Sequence, residues 1–379
     1  MPAGITKPFI DACAEAEELI RGASFIKTER DLVDGLDYLA GSIRASLQMA
    51  WSYEKERPFF VNSTNQFTKM GLDNPDTVYY HANLRPGADY VVRGTRGTTV
   101  DLSFQLLNGD YTPSSTPDGS IAFDDRSIDI AEDGTFEVRF TDLPEGAAML
   151  AVREVYDDWS AVRGTVTIER TDTIGTAPGE VLTEEVLAKR YAVAGKMLLS
   201  RINTWFMFPE WFYLNEPVNT ITEPRITPGG LSSQYSSVGH YDLSDDEVIV
   251  LTVPRGDAPY LGFQLGSPWY ISLDYIHHQT SLNGHQAQVD PDGMIRLVVS
   301  EQNPGVANWI ERLGHARGYL QFRWQRVDKP ITEGPTLEIV KVSDLREALP
   351  YFEANAVTDE QWRDRIAARQ RGVAGRLIG

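Results

Sequence analysis

Three of the six histidines in this 379-residue chain fall within nine positions, in SLDYIHHQTSLNGHQ at residues 272 to 286. Imidazoles so close together could ligate a metal or move protons. If Asn283-Gly284 makes a two-residue type I′ turn, Leu282 faces His285, Thr280 faces Ala287, His278 faces Val289 and His277 faces Asp290. Successive strand side chains alternate, so His277 and His278 point to opposite sides. His278 and His285 then share a side at a separation of about 13 Å, four steps of roughly 3.3 Å. One zinc needs nitrogens at about 2 Å and cannot take both. The hairpin therefore argues against a metal, and neither H-E-x-x-H nor H-x-H occurs. What it offers is His277 beside Asp290, a carboxylate able to orient an imidazole for acid-base work. The plainer reading of that pair is a cross-strand surface contact.

A second group lies in NPDTVYYH, residues 74 to 81. Asn74 and Asp76 around Pro75 specify a turn, because short polar side chains bond nearby backbone and proline fixes φ. If a strand starts at Thr77, Tyr79 and His81 share a face with Asp76 at its edge. A carboxylate, a phenol and an imidazole converging on a cleft can transfer protons. Aromatic residues crowd WFMFPEWFYL at 205 to 214 and the stretch holding Trp269, Tyr270 and Tyr275. They would stack on a sugar or ring-bearing substrate, or fill a core. The catalytic candidates are thus Asp76, Tyr79, His81, Asp274, His277 and His278. The substrate-binding candidates are Asn74, Tyr275, Trp211, Trp269 and Tyr270, and no residue is assigned to a metal.

The elements that must position these groups follow from periodicity. Thr28 and Asp31 form a capping signal ahead of Leu32, Leu36, Leu39, Ile43 and Leu47, which keep helical spacing, so residues 1–56 are read as helical. Residues 57–175 contain YVVRG, TTVDLSFQLL, GTFEVRF, AMLAVREVY and GTVTIER, an all-β domain. A helix opened by Thr183 and ending near Trp205 occupies the bridging segment 176–228. Strands resume at 229–329 as EVIVLTV, YLGFQLG, HQAQV, MIRLVVS and GYLQFRWQRV. Residues 330–379 read as a helical appendix with a capping box at Thr358-Asp-Glu-Gln361.

The two β regions resemble each other. RGTRGTTVDLSFQLLNG parallels PRGDAPYLGFQLGS, DIAEDGTFEVRF parallels QVDPDGMIRLVV, and DDW with GTVTIERTD parallels ANW with GYLQFRWQRVD. The predicted class is mainly β with flanking helices: two related antiparallel jelly-roll-like β-sandwich domains joined by a helix. GLDNPDTVYYHANL, the Arg-Gly strand, and the run from LGFQLG through DPDGMIRLVVSEQNPG to GYLQFRW resemble the bacterial family catalogued as domain of unknown function 1214. Asn74, Asp76, Thr77 and Tyr79 match the N-x-D-T-x-Y motif of its sister family, number 1254. These stretches cover roughly residues 60 to 330. The resemblance implies paired sandwiches and a homo-oligomer, but no activity. The chain has Tyr-Ile-His-His-Gln where members carry an Asn-Arg-Tyr type segment.

Composition narrows the function. The 42% apolar content supports sizeable cores, and 54 acidic against 35 basic residues give a net charge of −19, which repels nucleic acid and anionic lipid. No apolar run reaches the roughly 20 residues needed to span a bilayer, and no export signal opens the chain. The single Cys13 cannot form an internal disulfide, in keeping with a cytoplasmic protein. No P-loop, dinucleotide fingerprint or nucleophile elbow is present, so no organic cofactor is expected. The sequence points to an acid-base enzyme, a hydrolase or lyase, acting on a small hydroxylated or ring-bearing molecule between the sandwiches. The alternative is a non-catalytic carbohydrate-binding or assembly module.

Overall fold

The computed structural model describes residues 4–109, 118–176, 179, 181–215, 217–226 and 233–376. Helices α1 (Lys7–Arg21) and α2 (Glu29–Trp51) open the chain, and the Thr28–Asp31 capping box forms as read, with Asp31 N–H donating to Thr28 Oγ1. The first β unit holds β1 (Thr77–Asn83), β2 (Tyr90–Thr95), β3 (Asp101–Asn108), β4 (Asp118–Asp124), β5 (Thr135–Phe140), β6 (Ala147–Val155) and β7 (Thr165–Arg170). After α3 (Glu184–Asn215) come two short strands, β8 (Thr220–Ile221) and β9 (Arg225–Ile226). The second unit follows as β10 (Tyr235–Asp242), β11 (Glu247–Pro254), β12 (Tyr260–Gly266), β13 (Ser281–Asn283), β14 (Met294–Ser300), β15 (Trp309–Glu311), β16 (Arg317–Gln325) and β17 (Thr336–Lys341). Helices α4 (Leu345–Ala348), α5 (Phe352–Asn355) and α6 (Asp359–Arg376) close the described chain. No helix among the described residues is long and apolar enough to cross a membrane.

The class is mainly β with antiparallel sheets and flanking helices. In the first unit, a β1-β6-β3-β4 sheet faces a β5-β2-β7 sheet across a core containing Phe104, Leu150, Tyr90 and Phe136. In the second, β10-β16-β12-β13 faces β14-β11-β17 across Phe263, Phe322, Leu251 and Leu297. The strand orders superimpose one for one, with β15 and the β8/β9 pair as additions. The duplication extends to single hydrogen bonds. Gly134 and Gly293 have φ of +84° and +82°, and each backbone N–H closes a turn onto the carbonyl three residues earlier at 2.9 Å. Asp133 and Asp292 each accept from the N–H two residues on, at 3.0 and 3.1 Å.

Topology corrects four sequence expectations. GYLQFRWQ (β16) matches AAMLAVREV (β6), since both lie between the equivalents of β1 and β3. GTVTIER (β7) corresponds to TLEIVK (β17), which also pairs with the Arg-Gly strand. The tail therefore begins with a sheet strand, and only its end is helical. The third helix continues past Trp205 to Asn215 with Pro209 inside it, packing on α1 and α2 as a helical layer rather than only joining sheets. The 277–290 hairpin does not exist, and HQAQV is no strand. Neither Asn283 nor Gly284 has the positive φ that a type I′ turn requires. Asn283 Oδ1 instead accepts from the N–H groups of His285 and Gln286, and its carbonyl from Gln286 and Ala287, which winds the chain into a helical turn.

Candidate functional site

The two β units meet through the outer faces of equivalent sheets. On β1 and β6 strand alternation sets Thr77, Tyr79 and His81 beside Met149, Ala151 and Arg153, with Tyr79 directly opposite Arg153 and His81 opposite Ala151. On β16 it sets Gln321, Arg323 and Gln325 on the outer face while Leu320, Phe322 and Trp324 enter the core. Helices α2 and α3 roof the junction with Met49, Met197, Arg201 and Trp205, enclosing a cavity of about 280 Å³. That volume lies at the small end of ligand sites.

Three arginines line this cavity, Arg153, Arg201 and Arg323, and no Asp or Glu among the described residues does. Arg201 donates to the carbonyls of Thr68 and Lys69 at 2.6 and 2.9 Å, and Arg323 to Leu72 O at 2.5 Å and Gln321 Oε1 at 2.8 Å. The half-buried Arg153 guanidinium has no hydrogen-bond or ion-pair partner among the described residues. The Trp205 indole N–H, Gln325 Oε1 and His81 Nε2, all buried, likewise find no partner there. Buried polar groups are seldom left unsatisfied, so three around one cavity, beside a half-buried arginine that also has no partner among the described residues, mark a place for something else to bond. His81 Nδ1 sits 3.1 Å from Ser63 Oγ. Burial, helped by Arg201, pushes the His81 imidazole down to about 4, so it is neutral at ordinary pH. The Tyr79 hydroxyl accepts from Asn74 N–H at 2.8 Å, and burial raises its pKa and keeps it a phenol.

Asp76 does not line this cavity. It is fully buried, accepts from Trp159 Nε1 at 2.6 Å and Asn283 Nδ2 at 3.2 Å on one oxygen, and from the Tyr260 hydroxyl at 2.7 Å on the other. Burial pushes its carboxyl up, against the lowering effect of Tyr260, Trp159 and two nearby arginines. Asn74 completes the knot: its Oδ1 accepts from Asp76 N–H at 3.0 Å and its Nδ2 donates to Tyr260 Oη at 2.9 Å. With its acceptors occupied by donors from both units, Asp76, a catalytic candidate from sequence, ties the halves together and lies apart from the cavity that Tyr79 and His81 line.

The second-half candidates lie elsewhere. His277 pairs with Asp274 at 2.9 Å on the surface, their side chains 62% and 42% exposed, and not with Asp290, which binds Arg296 and Asn355. His278 pairs with Glu311 at 2.9 Å. None of these lines the arginine cavity. Tyr275 alone approaches the 74–81 segment: it is buried edge-on to Trp159 and shares a separate cleft with Pro75, Thr77 and Val78. Trp269 is no substrate wall. It is buried in the helical layer, its Nε1 donating to Asp31 O at 2.6 Å, and a Cβ on Gly35 would meet its ring at 2.3 Å. Tyr270, at φ +56°, stacks on Phe208 with centroids 4.7 Å apart, behind Trp205. Trp211 is exposed, and the side chains of Phe212 and Tyr213 lie outside the described residues. No cluster of three or more His, Cys, Asp or Glu side chains that could hold a metal ion occurs among the described residues.

Sequence reasoning missed Arg153, Arg201, Arg323 and Ser63. The signal for Arg323 was present: Gln321, Arg323 and Gln325 alternate with large apolar residues, a polar stripe on an otherwise buried strand. Arg153 in AAMLAVREV, followed by Glu154 on the opposite face, is a polar residue on the equivalent strand.

Comparison with protein-family models gives no match, and comparison with curated proteins gives none either. Among solved structures the chain is similar to an uncharacterized protein from Burkholderia cenocepacia, with a TM-score of 0.80 and 26% identity, covering 90% of this chain and 98% of that one. A protein from Vibrio parahaemolyticus matches at a TM-score of 0.43 and 12% identity over 88% of this chain and 100% of that one. The first likeness shows the shared fold; the second is too loose to add to it.

Proposed function

We propose that the cavity between the two β units takes a small organic anion, a carboxylate on a ring-bearing body. The observation that carries this reading is the Arg153 guanidinium, unpaired among the described residues, in a cavity that two further arginines and no described carboxylate line, inside a chain of net charge −19. A half-buried guanidinium matches a carboxylate through two parallel N–H···O bonds, while Met49, Met149, Met197 and Trp205 suit an apolar ring. A neutral sugar would leave these charges uncompensated, so the carbohydrate-binding reading is the weaker one.

The contact between Ser63 and His81 favours a second reading, that the bound anion is also acted on without an organic cofactor, as a hydrolase or lyase would act. An imidazole held near 4 is a weak base at neutral pH, so binding is better supported than turnover. A negative ligand beside His81 would raise its proton affinity toward the useful range. This reading carries with it a cytoplasmic setting, in line with one cysteine, and self-association, from the resemblance to domain of unknown function 1214. The test is calorimetric titration of the purified chain with benzoate and with benzamide. Saturable binding of benzoate at least tenfold tighter than the uncharged amide supports the proposal; equal affinities, or no binding of a panel of ring carboxylates, refute it.

A further inference from the structure

A second cavity, of about 510 Å³, lies on the other side of the Asp76 knot, where α6 docks across both β units. Among the described residues, five arginines line it against a single carboxylate, Asp158. Two of them hold the helix down. Arg369 donates to Tyr275 O and Ser281 O of the second unit at 3.0 and 2.9 Å, and Arg376 donates to Pro75 O of the first at 2.9 Å while lying over the Trp159 ring at 4.3 Å. That docking leaves donors over. Arg376 Nε is buried without a partner among the described residues. Arg365 makes only long contacts, 3.3 Å to Gln279 Oε1 and 3.2 Å to Gln286 O, and burial lowers its pKa. Arg371, exposed at the rim, pairs with nothing described. The helix surface here is kept low by glycine, and a Cβ on Gly375 would meet no atom within 4 Å.

Guanidinium groups gathered from one helix around an open hollow, in a protein that is strongly acidic elsewhere, would be held apart by repulsion unless an anion joins them. We infer that this hollow is a binding site for a phosphoryl group, drawn in by the positive charge of Arg365, Arg371 and Arg376 along its wall. Planar guanidinium forks match phosphate oxygens, and a hollow lined by several of them suits a dianion better than a singly charged carboxylate. Because Arg376 and Trp159 belong to both this hollow and the Asp76 knot, the bound anion also tightens α6 onto the junction.

The test is calorimetric titration of the full chain at constant ionic strength with inorganic phosphate and with glycerol phosphate. Saturable one-to-one binding of either supports the site, and the tighter of the two tells whether the group is free or esterified. Arg371→Gln should weaken binding about tenfold, the loss of one charge-assisted contact. Gly375→Leu, whose Cβ meets no atom within 4 Å and whose side chain takes up room in the hollow, should abolish binding while the melting temperature holds, and Arg153→Gln should leave binding unchanged. Absence of saturable binding by the wild-type chain, wild-type affinity in Gly375→Leu, or loss of phosphate binding only in Arg153→Gln overturns the inference.

Discussion

Asp76 and His81 stand five residues apart on one segment and live in opposite circumstances. The carboxylate has a donor on each oxygen and two arginines nearby, whereas among the described residues the imidazole has one hydrogen-bond contact, to Ser63, and a buried nitrogen with no partner. Both are residue types that catalysts use. The difference shows that a saturated buried polar group is structural glue and an unsaturated one beside a cavity is an opening for a ligand. The contrast is fixed by strand alternation: Tyr79 and His81 lie on the face turned to the cavity, while Asp76 precedes the strand and turns into the seam between the halves.

The largest effect should come from cutting the seam. Asp76→Ala strands the Trp159, Tyr260 and Asn283 donors in a buried site and should cost about 3–5 kcal/mol, read from urea or guanidinium unfolding; a loss below about 1 kcal/mol would put Asp76 on a par with a surface residue. His81 comes next, through pH. Its fall from 6.5 to about 4 means that the unfolded chain binds the proton more readily, so stability is present above pH 6.5 and is lost as pH falls toward 4. At about 1.4 kcal/mol per unit this amounts to about 3 kcal/mol. His81→Gln should remove that slope from the difference curve against wild type, and an unchanged slope between pH 4 and 7 would show that other groups carry it. Asp101, held up at about 6 by burial, works in the opposite direction, since stability falls as it ionises in the unfolded chain first. The smallest effect is expected from His277→Ala, which removes an exposed contact with Asp274 and should change stability by no more than about 0.5 kcal/mol. A large loss of ligand binding in that variant would return the 274–278 segment to the site.

Much of the architecture was legible because it is repeated. Phe-Gln-Leu strands, Asp-Gly turns and capping boxes are local signals, and each appears where the chain needs it. What was not legible depended on distant partners. TLEIVK alternates weakly and becomes a strand because the edge of β11 is open beside it. Asn283-Gly284 has the composition of a tight hairpin, but Asn283 is held by Asp76 and by its own following backbone, which forces a different turn. The site was half seen. Tyr79 and His81 share the face turned to the cavity, as alternation suggested, and Asn74 joins them from the turn before the strand, but the arginines come from three separate elements whose convergence no local pattern encodes. Clustered histidines attracted notice by type, and the structure pairs each of His277 and His278 with a nearby carboxylate at the surface.

The most direct test of the anion cavity is benzoate affinity in wild type and in Arg153→Gln, measured side by side with their unfolding curves. The account predicts binding weakened by about ten- to a hundredfold, the worth of a charge-assisted hydrogen-bonded pair, with stability little changed because the half-buried guanidinium has no partner among the described residues to lose. Equal affinity in the two proteins would contradict it.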